Sequence, residues 1–338
     1  MTTMTLTLAE LERRVQGIFL AAGLDPVQAG AVARTVAAGE RDGCASHGVY
    51  RIEGCLATMR AGKVATGARP SLRRDGPAIV RVEAGGGFAP AAFELGAPAV
   101  AEAARETGLA ALVINDCVHF AALWPEVEAM AERGLAALAL CPSYSAVAPA
   151  GGTAPLLGTN PLAFGWPRPG REPYVFDFAT SVAARGEVEL RRLAGEELPE
   201  GWAIDTGGRP TTDPARALAG ALLPFGGHKG SAVSTMVELL GGALIGDLCS
   251  PEAREAMGEA AALPRHGELV LAFDPRRLSA GRPGDPFARA EALFVAILGQ
   301  GARLPSQRRF AARARSLAQG ITLDADQMAR LEALGRPG

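Results

Sequence analysis

Ala78-Ile79-Val80-Arg81-Val82-Glu83-Ala84-Gly85-Gly86-Gly87-Phe88-Ala89-Pro90 decides the fold. A short strand, Ala78 to Val82, runs into a triple glycine, and an alanine-rich helix, Ala91 to Thr107, follows. That is the outline of a loop that cradles a dinucleotide. The spacing refuses it. In G-x-G-x-x-G read from Gly85, the third glycine falls on Pro90, and no acidic residue follows a second strand at the expected distance. The glycines therefore mark a tight turn, and the domain that starts here is α/β without a standard Rossmann site.

Downstream the alternation continues. Leu109 to Ile114 and Leu135 to Leu140 read as strands around a helix from Leu123 to Arg133, and Tyr174 to Phe178 and Glu268 to Phe273 as later strands. Ala148 to Pro167 is dense in Gly and Pro yet apolar, which suits a buried rigid loop beside a ligand. A helix from Ser181 to Leu193 carries Arg185 and Glu187, and the turn-rich Gly201 to Pro214 predicts a hairpin. Pro224 to Ser231, with Lys229, opens a long apolar helix to Ile245, a weak anion-site signal. Ser250 to Leu263 reads as a surface insertion, and Pro286 to Leu298 as a helix. Upstream, helices from Leu8 to Ala22, from Asp25-Pro26 to Glu40 and from about Ser46 to Arg60 make a helical N-terminal part. The division expected is residues 1–67, joined by the C-terminal helices of about 302–338, against an α/β unit over 68–301.

Among 338 residues, 48% are hydrophobic, enough for a sizeable core, and a net charge of -2 leaves no footprint for nucleic acid. No apolar run is long and unbroken enough to span a bilayer. The five cysteines form no C-x-x-C pair, and Met1 to Thr7 lacks a basic region followed by an apolar one, so reduced thiols in the cytoplasm are expected. None of the four histidines has zinc-site spacing, so no metal is expected.

The chemistry concentrates in Arg41 to Arg51. Ser46, His47 and Arg51 place a hydroxyl, an imidazole and a guanidinium within six residues, and a helix beginning near Ser46 would set His47 and Arg51 on one face. Ser46 as a plain cap and Arg51 as a surface charge is the competing reading. There is no G-x-S-x-G elbow for a hydrolase. A proton donor, an anion clamp and glycine-rich loops fit reduction of a carbonyl or imine beside a carboxylate by a nicotinamide cofactor. Arg303, Arg308, Arg309, Arg313 and Arg315 read either as a solvated helix face or as forks for cofactor phosphate.

Six motifs in order resemble the type-2 malate/L-lactate dehydrogenase-like NAD(P)H oxidoreductases: Ser46-His47-Gly48-x-x-Arg51, His119-Phe120, Leu157 to Pro161, Asp177-x-Ala179-Thr180-Ser181, Pro224 to Gly230 and Arg303-Leu304-Pro305. The resemblance implies a three-layer, non-Rossmann mixed sheet sandwiched by helices, with a helical N-terminal part, and a homodimer. His119 to Pro125 and Phe164 to Pro169 look like its Δ1-piperideine-2-carboxylate/Δ1-pyrroline-2-carboxylate reductases, as does the acidic Glu187 after Gly186, where those reductases tend to carry Asp. The implied activity is NADPH-dependent reduction of those cyclic imines to L-pipecolate and L-proline, with NADH less favoured. A 2-hydroxyacid dehydrogenase of the same fold is the alternative.

Carried over by residue, the resemblance makes His47 the proton donor and Ser46 and Glu187 its relay, with Arg51 and Thr159 holding the substrate. His119, Phe120, Ala121, Ala122, Leu123, Asp177, Phe178, Ala179, Arg185, Gly186, Lys229 and the run Ala302, Arg303, Leu304, Pro305, Ser306, Gln307, Arg308 would hold NADPH. A carboxylate beside His47 would raise its pKa and keep a proton available near neutral pH.

Overall fold

The computed structural model describes residues 4–258 and 262–335. The quoted stretch forms a strand, Ile79–Glu83, and a helix, Ala89–Thr107, that returns the chain to a parallel strand, Leu109–Val118. Gly85 and Gly86 both take positive φ in the intervening turn, where a side chain is disfavoured. A Cβ on Gly96 would collide with Leu112, so the helix lies directly on its sheet. Among the described residues this is the only parallel pair in a seven-stranded sheet. In order across the sheet the strands are Ser71–Arg74, Ile79–Glu83, Leu109–Val118, Arg265–Phe273, Ala136–Leu140, Leu162–Trp166 and Tyr174–Phe178. The central strand comes from late in the chain and pairs antiparallel with both neighbours.

Both faces of the sheet are covered. On one, Val80, Leu112, Ile114, Ala139 and Val270 pack against helices Ala89–Thr107 and Trp124–Glu132 through Phe93, Val100, Val127 and Met130. On the other, Val113, Leu140 and Leu269 meet Val237 of helix His228–Gly241 and Ile245. Alternate residues of the strands serve the two faces, as a two-sided sheet requires. Helices thus sandwich a mixed sheet, as the resemblance implied.

A second core joins the two ends of the chain. Strand Met4–Leu6 pairs antiparallel with Ile321–Leu323, and Leu11, Val15, Phe19, Val32, Ile52 and Leu56 share one apolar cluster with Leu323, Met328 and Leu331. Phe88, Val118 and Phe120 carry that cluster up to the sheet.

Several boundaries differ from the sequence reading. The third helix is Tyr50–Arg60, and Ala45–His47 is a separate 3-10 turn, so His47 and Arg51 do not share a helical face. The helix expected from Ser181 begins at Arg185, and the one expected to follow Ser231 begins at His228. Within the stretch expected to be a surface insertion, helix Ser250–Met257 buries Ser250, Ala253 and Met257, while residues 259–261 lie outside the described part. The hairpin expected between Gly201 and Pro214 is present as Ala203–Ile204 against Pro210–Thr211.

Candidate active site

A cavity of about 1330 Å³ opens where the N-terminal helices, the sheet and the C-terminal helix Gln307–Gln319 meet. On its wall the turn before Tyr50 is tightly set. A Cβ on Gly39 would strike the His47 carbonyl, and the Val49 amide donates to Glu40 Oε1 at 2.8 Å. Ser46 Oγ lies 3.0 Å from His47 Nδ1, and Arg51 Nε donates to the Ser46 carbonyl at 2.7 Å. The backbone turn thus brings serine, histidine and arginine together where a shared helix was expected to do so. Trp124 meets His47 edge-on, with ring centroids 5.9 Å apart.

His47 is not raised in pKa. Burial first, then the positive charge of Arg51, then His119, lower it to about 3. Both His47 and Arg51 keep some accessible surface, and both line the cavity. The carboxylate expected beside His47 is not there. Glu187 sits on the outer side of helix Arg185–Ala194, its side chain 49% exposed, with Oε1 3.9 Å from Arg191 Nε, and it does not line the cavity. Its position three residues into the helix turns it outward while Arg185 and Gly186 at the helix start face in.

The loop that carries Thr159 is pinned from behind. Asn160 is fully buried at φ 40°, and its side-chain amide donates to Glu238 Oε1 at 2.8 Å. Glu238 also takes the Ser250 amide at 2.8 Å. The Gly/Pro-rich segment is therefore rigid because a buried carboxylate gathers its polar groups.

Most of the residues expected to hold a cofactor line the same cavity: His119, Phe120, Ala121 and Ala122, then Asp177, Phe178 and Ala179, then Arg185 and Gly186, and Arg303 through Arg308. Three do not reach it in the same way. Leu123 is wholly buried and presents only its amide, which donates to Asp177. Lys229 and Ala302 are exposed and outside the lining. Asp177 is itself engaged: its Oδ2 accepts the Leu123 and Trp124 amides at 2.8 and 2.9 Å, at the start of helix Trp124–Glu132. Burial raises its pKa to about 6 against the pull of those two amides.

The five C-terminal arginines separate into two sets. Arg309 and Arg313 are structural. Asp42 holds Arg309 at 3.1 Å and Arg313 at 2.9 Å, Glu128 holds both from the other side, and the Arg309 guanidinium lies 5.2 Å from the Trp124 ring centre. Arg303, Arg308 and Arg315 line the cavity, and no acidic partner is seen for them among the described residues. Three guanidinium groups on the wall of a large cavity, without an acidic partner among the described residues, fit the phosphates of a dinucleotide. The sequence reading did not assign Asp42, Trp124, Tyr144, His266 or Glu268 to the site, although Asp42, Trp124, Tyr144 and His266 line it. His119 stacks on His266 with centroids 5.5 Å apart, and its Nε2 lies 3.3 Å from Glu268 Oε2. The one local clue to Glu268 is a carboxylate that heads an apolar run, Leu269 to Phe273.

Comparison with known proteins agrees with the motifs. A family model described as malate/L-lactate dehydrogenase matches residues 6–332. A Δ1-pyrroline-2-carboxylate reductase of Agrobacterium fabrum is 64% identical over 99% of this chain and 98% of its own length. A Δ1-pyrroline-2-carboxylate/Δ1-piperideine-2-carboxylate reductase of Pseudomonas aeruginosa is 56% identical, over 87% of this chain and 88% of that protein. The crystal structure of a Δ1-piperideine-2-carboxylate reductase from Pseudomonas syringae superposes with a TM-score of 0.93 at 43% identity, covering 98% of this chain and 99% of that one.

Proposed function

The chain belongs to the malate/L-lactate dehydrogenase family, and within that family we propose that it reduces the cyclic imines Δ1-pyrroline-2-carboxylate and Δ1-piperideine-2-carboxylate to L-proline and L-pipecolate with NADPH. The observation that carries this reading is one cavity with Ser46, His47 and Arg51 on its wall together with three arginines that have no acidic partner among the described residues. The names of the similar reductases support the substrate class.

Each residue has a definite task in this scheme. Arg51 pairs with the planar carboxylate of the substrate and keeps Nε on the Ser46 carbonyl, which fixes its direction. Phe120, Ala121 and Trp124 leave an apolar enclosure for the ring. His47 starts neutral, because burial and Arg51 disfavour its charge. A carboxylate arriving on Arg51 offsets that charge, so His47 gains basicity when the substrate binds. His47 then takes a proton from solvent, Nδ1–H donates to Ser46 Oγ, and the ring so held passes its Nε2 proton to the imine nitrogen and returns to the neutral form. When bound, the nicotinamide supplies the hydride to C2; the C=N bond becomes C–N, and the nitrogen ends as a secondary amine. Arg303, Arg308 and Arg315 would take the cofactor's phosphates, and three charges at one place favour the additional phosphate of NADPH over NADH.

The same reading places the protein in the cytoplasm as a homodimer. Five free thiols suit a reducing compartment. Among the described residues no single helix is long and apolar enough to cross a membrane. Leu239, Leu244, Leu293 and Val295 are all more than half exposed, an apolar surface that a second copy would cover. The test of function is cofactor consumption with Δ1-piperideine-2-carboxylate, Δ1-pyrroline-2-carboxylate, pyruvate and oxaloacetate side by side. Turnover of either imine at least tenfold above both keto acids is expected. The reverse order would make this a hydroxyacid dehydrogenase.

A further inference from the structure

Behind the cavity wall lies a carboxylate that the scheme above leaves unused. Glu268 is wholly buried in the central strand, and neither of its oxygens has a hydrogen-bond partner among the described residues. A buried carboxylate without a partner is costly, so its neighbours have to account for it. Glu126 keeps its proton, because burial and then the charge of Glu268 push its pKa well up, but it makes no hydrogen bond to Glu268, and its own Oε2 is without a partner among the described residues. Cys117 and Cys141 are buried thiols raised the same way and carry no positive charge. His266 is turned elsewhere, its Nδ1 2.8 Å from the Gly267 carbonyl. Asp177 is occupied by two backbone amides, and His47 by Ser46.

That leaves His119. Its Nε2 is buried, lacks any other partner, and stands 3.3 Å from Glu268 Oε2. The separation is within hydrogen-bond range, although the ring N–H is not aimed at Oε2 in this structure. His119 also lines the cavity. With Nε2 enclosed, the ring reaches the cavity by its other edge, the one that bears Nδ1. We propose that Glu268 is a positioning residue that fixes His119 as the Nε2–H tautomer, giving the cavity wall a bare Nδ1 that accepts an N–H from the bound ligand. A neutral imidazole has one donor and one acceptor nitrogen, and whichever partner takes the donor decides what the other nitrogen can do.

The inference rests on the reductase reading for the identity of that N–H. Two sources have the right chemistry: the primary carboxamide of a nicotinamide, or the ring nitrogen of the imino acid once it carries hydrogen. The tautomer itself needs no ligand. It is read from nitrogen-15 spectra of the full-length protein with labelled histidines, His119 being identified by its loss in His119→Asn. The wild type should show a bare Nδ1 and a protonated Nε2. Glu268→Gln, whose amide can also donate, should give a mixture of tautomers, and Glu268→Asp should restore the single form. In Glu268→Gln a loss of about fivefold in NADPH affinity, measured without substrate, would assign Nδ1 to the carboxamide. A similar rise in KM for the imine with cofactor affinity unchanged would assign it to the ring nitrogen. Should Glu268→Gln fail to fold, the wild-type spectrum and Glu268→Asp decide. A wild-type His119 protonated on Nδ1 overturns the proposal, as does a folded Glu268→Gln with both constants unchanged. A correct tautomer in a protein that reduces neither imine would sink the substrate reading and leave the role of Glu268 standing.

Discussion

Asp42→Asn tests how much the ion network behind the cavity holds the two ends of the chain together. The Asp42 side chain has no exposed surface and is shared by Arg41, Arg309 and Arg313. Burial alone would raise its pKa; hydrogen bonds from Arg313 and Arg41, and their charges, reverse this and bring it down from 3.8 to about 2. A shift of that size stabilises the fold by about 2.5 kcal/mol at neutral pH. The folded pKa is depressed, so the contribution is fully present above the unfolded value and is lost as pH falls. It should be about half gone at pH 3 and absent below pH 2. Asparagine keeps the shape but turns a donor toward the arginines, so Asp42→Asn should cost at least that 2.5 kcal/mol in urea unfolding at pH 7. The gap between variant and wild type should narrow in unfolding experiments taken from pH 5 toward pH 3. A loss under about 1 kcal/mol at pH 7, or a gap that stays constant down to pH 3, would refute the reasoning.

His47→Ala should reduce turnover about 100- to 10,000-fold while leaving cofactor affinity nearly intact; a loss below tenfold would move the proton donor elsewhere. Arg51→Lys should raise the KM for the imine by about tenfold or more, since a point charge replaces a fork, and equal KM values would end the clamp assignment. Arg308→Ala should weaken NADPH by about tenfold and NADH far less, as fluorescence titration can read; equal losses would detach this arginine from the additional phosphate. Glu187→Gln should leave the alkaline limb of the activity profile where it is, because the carboxylate faces Arg191. A limb displaced to lower pH would put Glu187 beside His47 in the working enzyme.

What the sequence made legible was what local rules control. The strand Ile79–Glu83, the helix after it and Tyr174–Phe178 follow from periodicity and turn residues, and the misplaced Pro90 was enough to exclude the Rossmann loop. The motifs also gathered Ser46, His47, Arg51 and the cofactor-facing loops at one cavity. Direction and pairing were not legible. Arg308 and Arg309 are adjacent in sequence and both line the cavity, yet Arg308 has no acidic partner among the described residues while Arg309 is locked between Asp42 and Glu128. That division depends on partners 267 and 181 residues away. Glu187 was expected beside His47 from its place after Gly186, but the side a helical residue faces is set by how its helix docks. The expected rise in the His47 pKa failed for the same reason, since burial and Arg51 act where the carboxylate was meant to be.

The position of strand Arg265–Phe273 has a consequence for how the protein is made. As the chain leaves the ribosome, Leu109–Val118 and Ala136–Leu140 emerge well before the strand that comes to lie between them. Until it arrives, each presents an open, apolar edge, the kind of surface to which stray strands add. Closing the gap fixes contacts between residues more than 120 positions apart, such as Leu269 with Leu140, so closure should be a slow, late event in folding. The same insertion carries His266 and Glu268 to the wall beside His119. A nascent chain halted before residue 265 would therefore have neither a finished sheet nor a finished pocket, and completion of the barrier against aggregation and completion of the catalytic chamber become a single step.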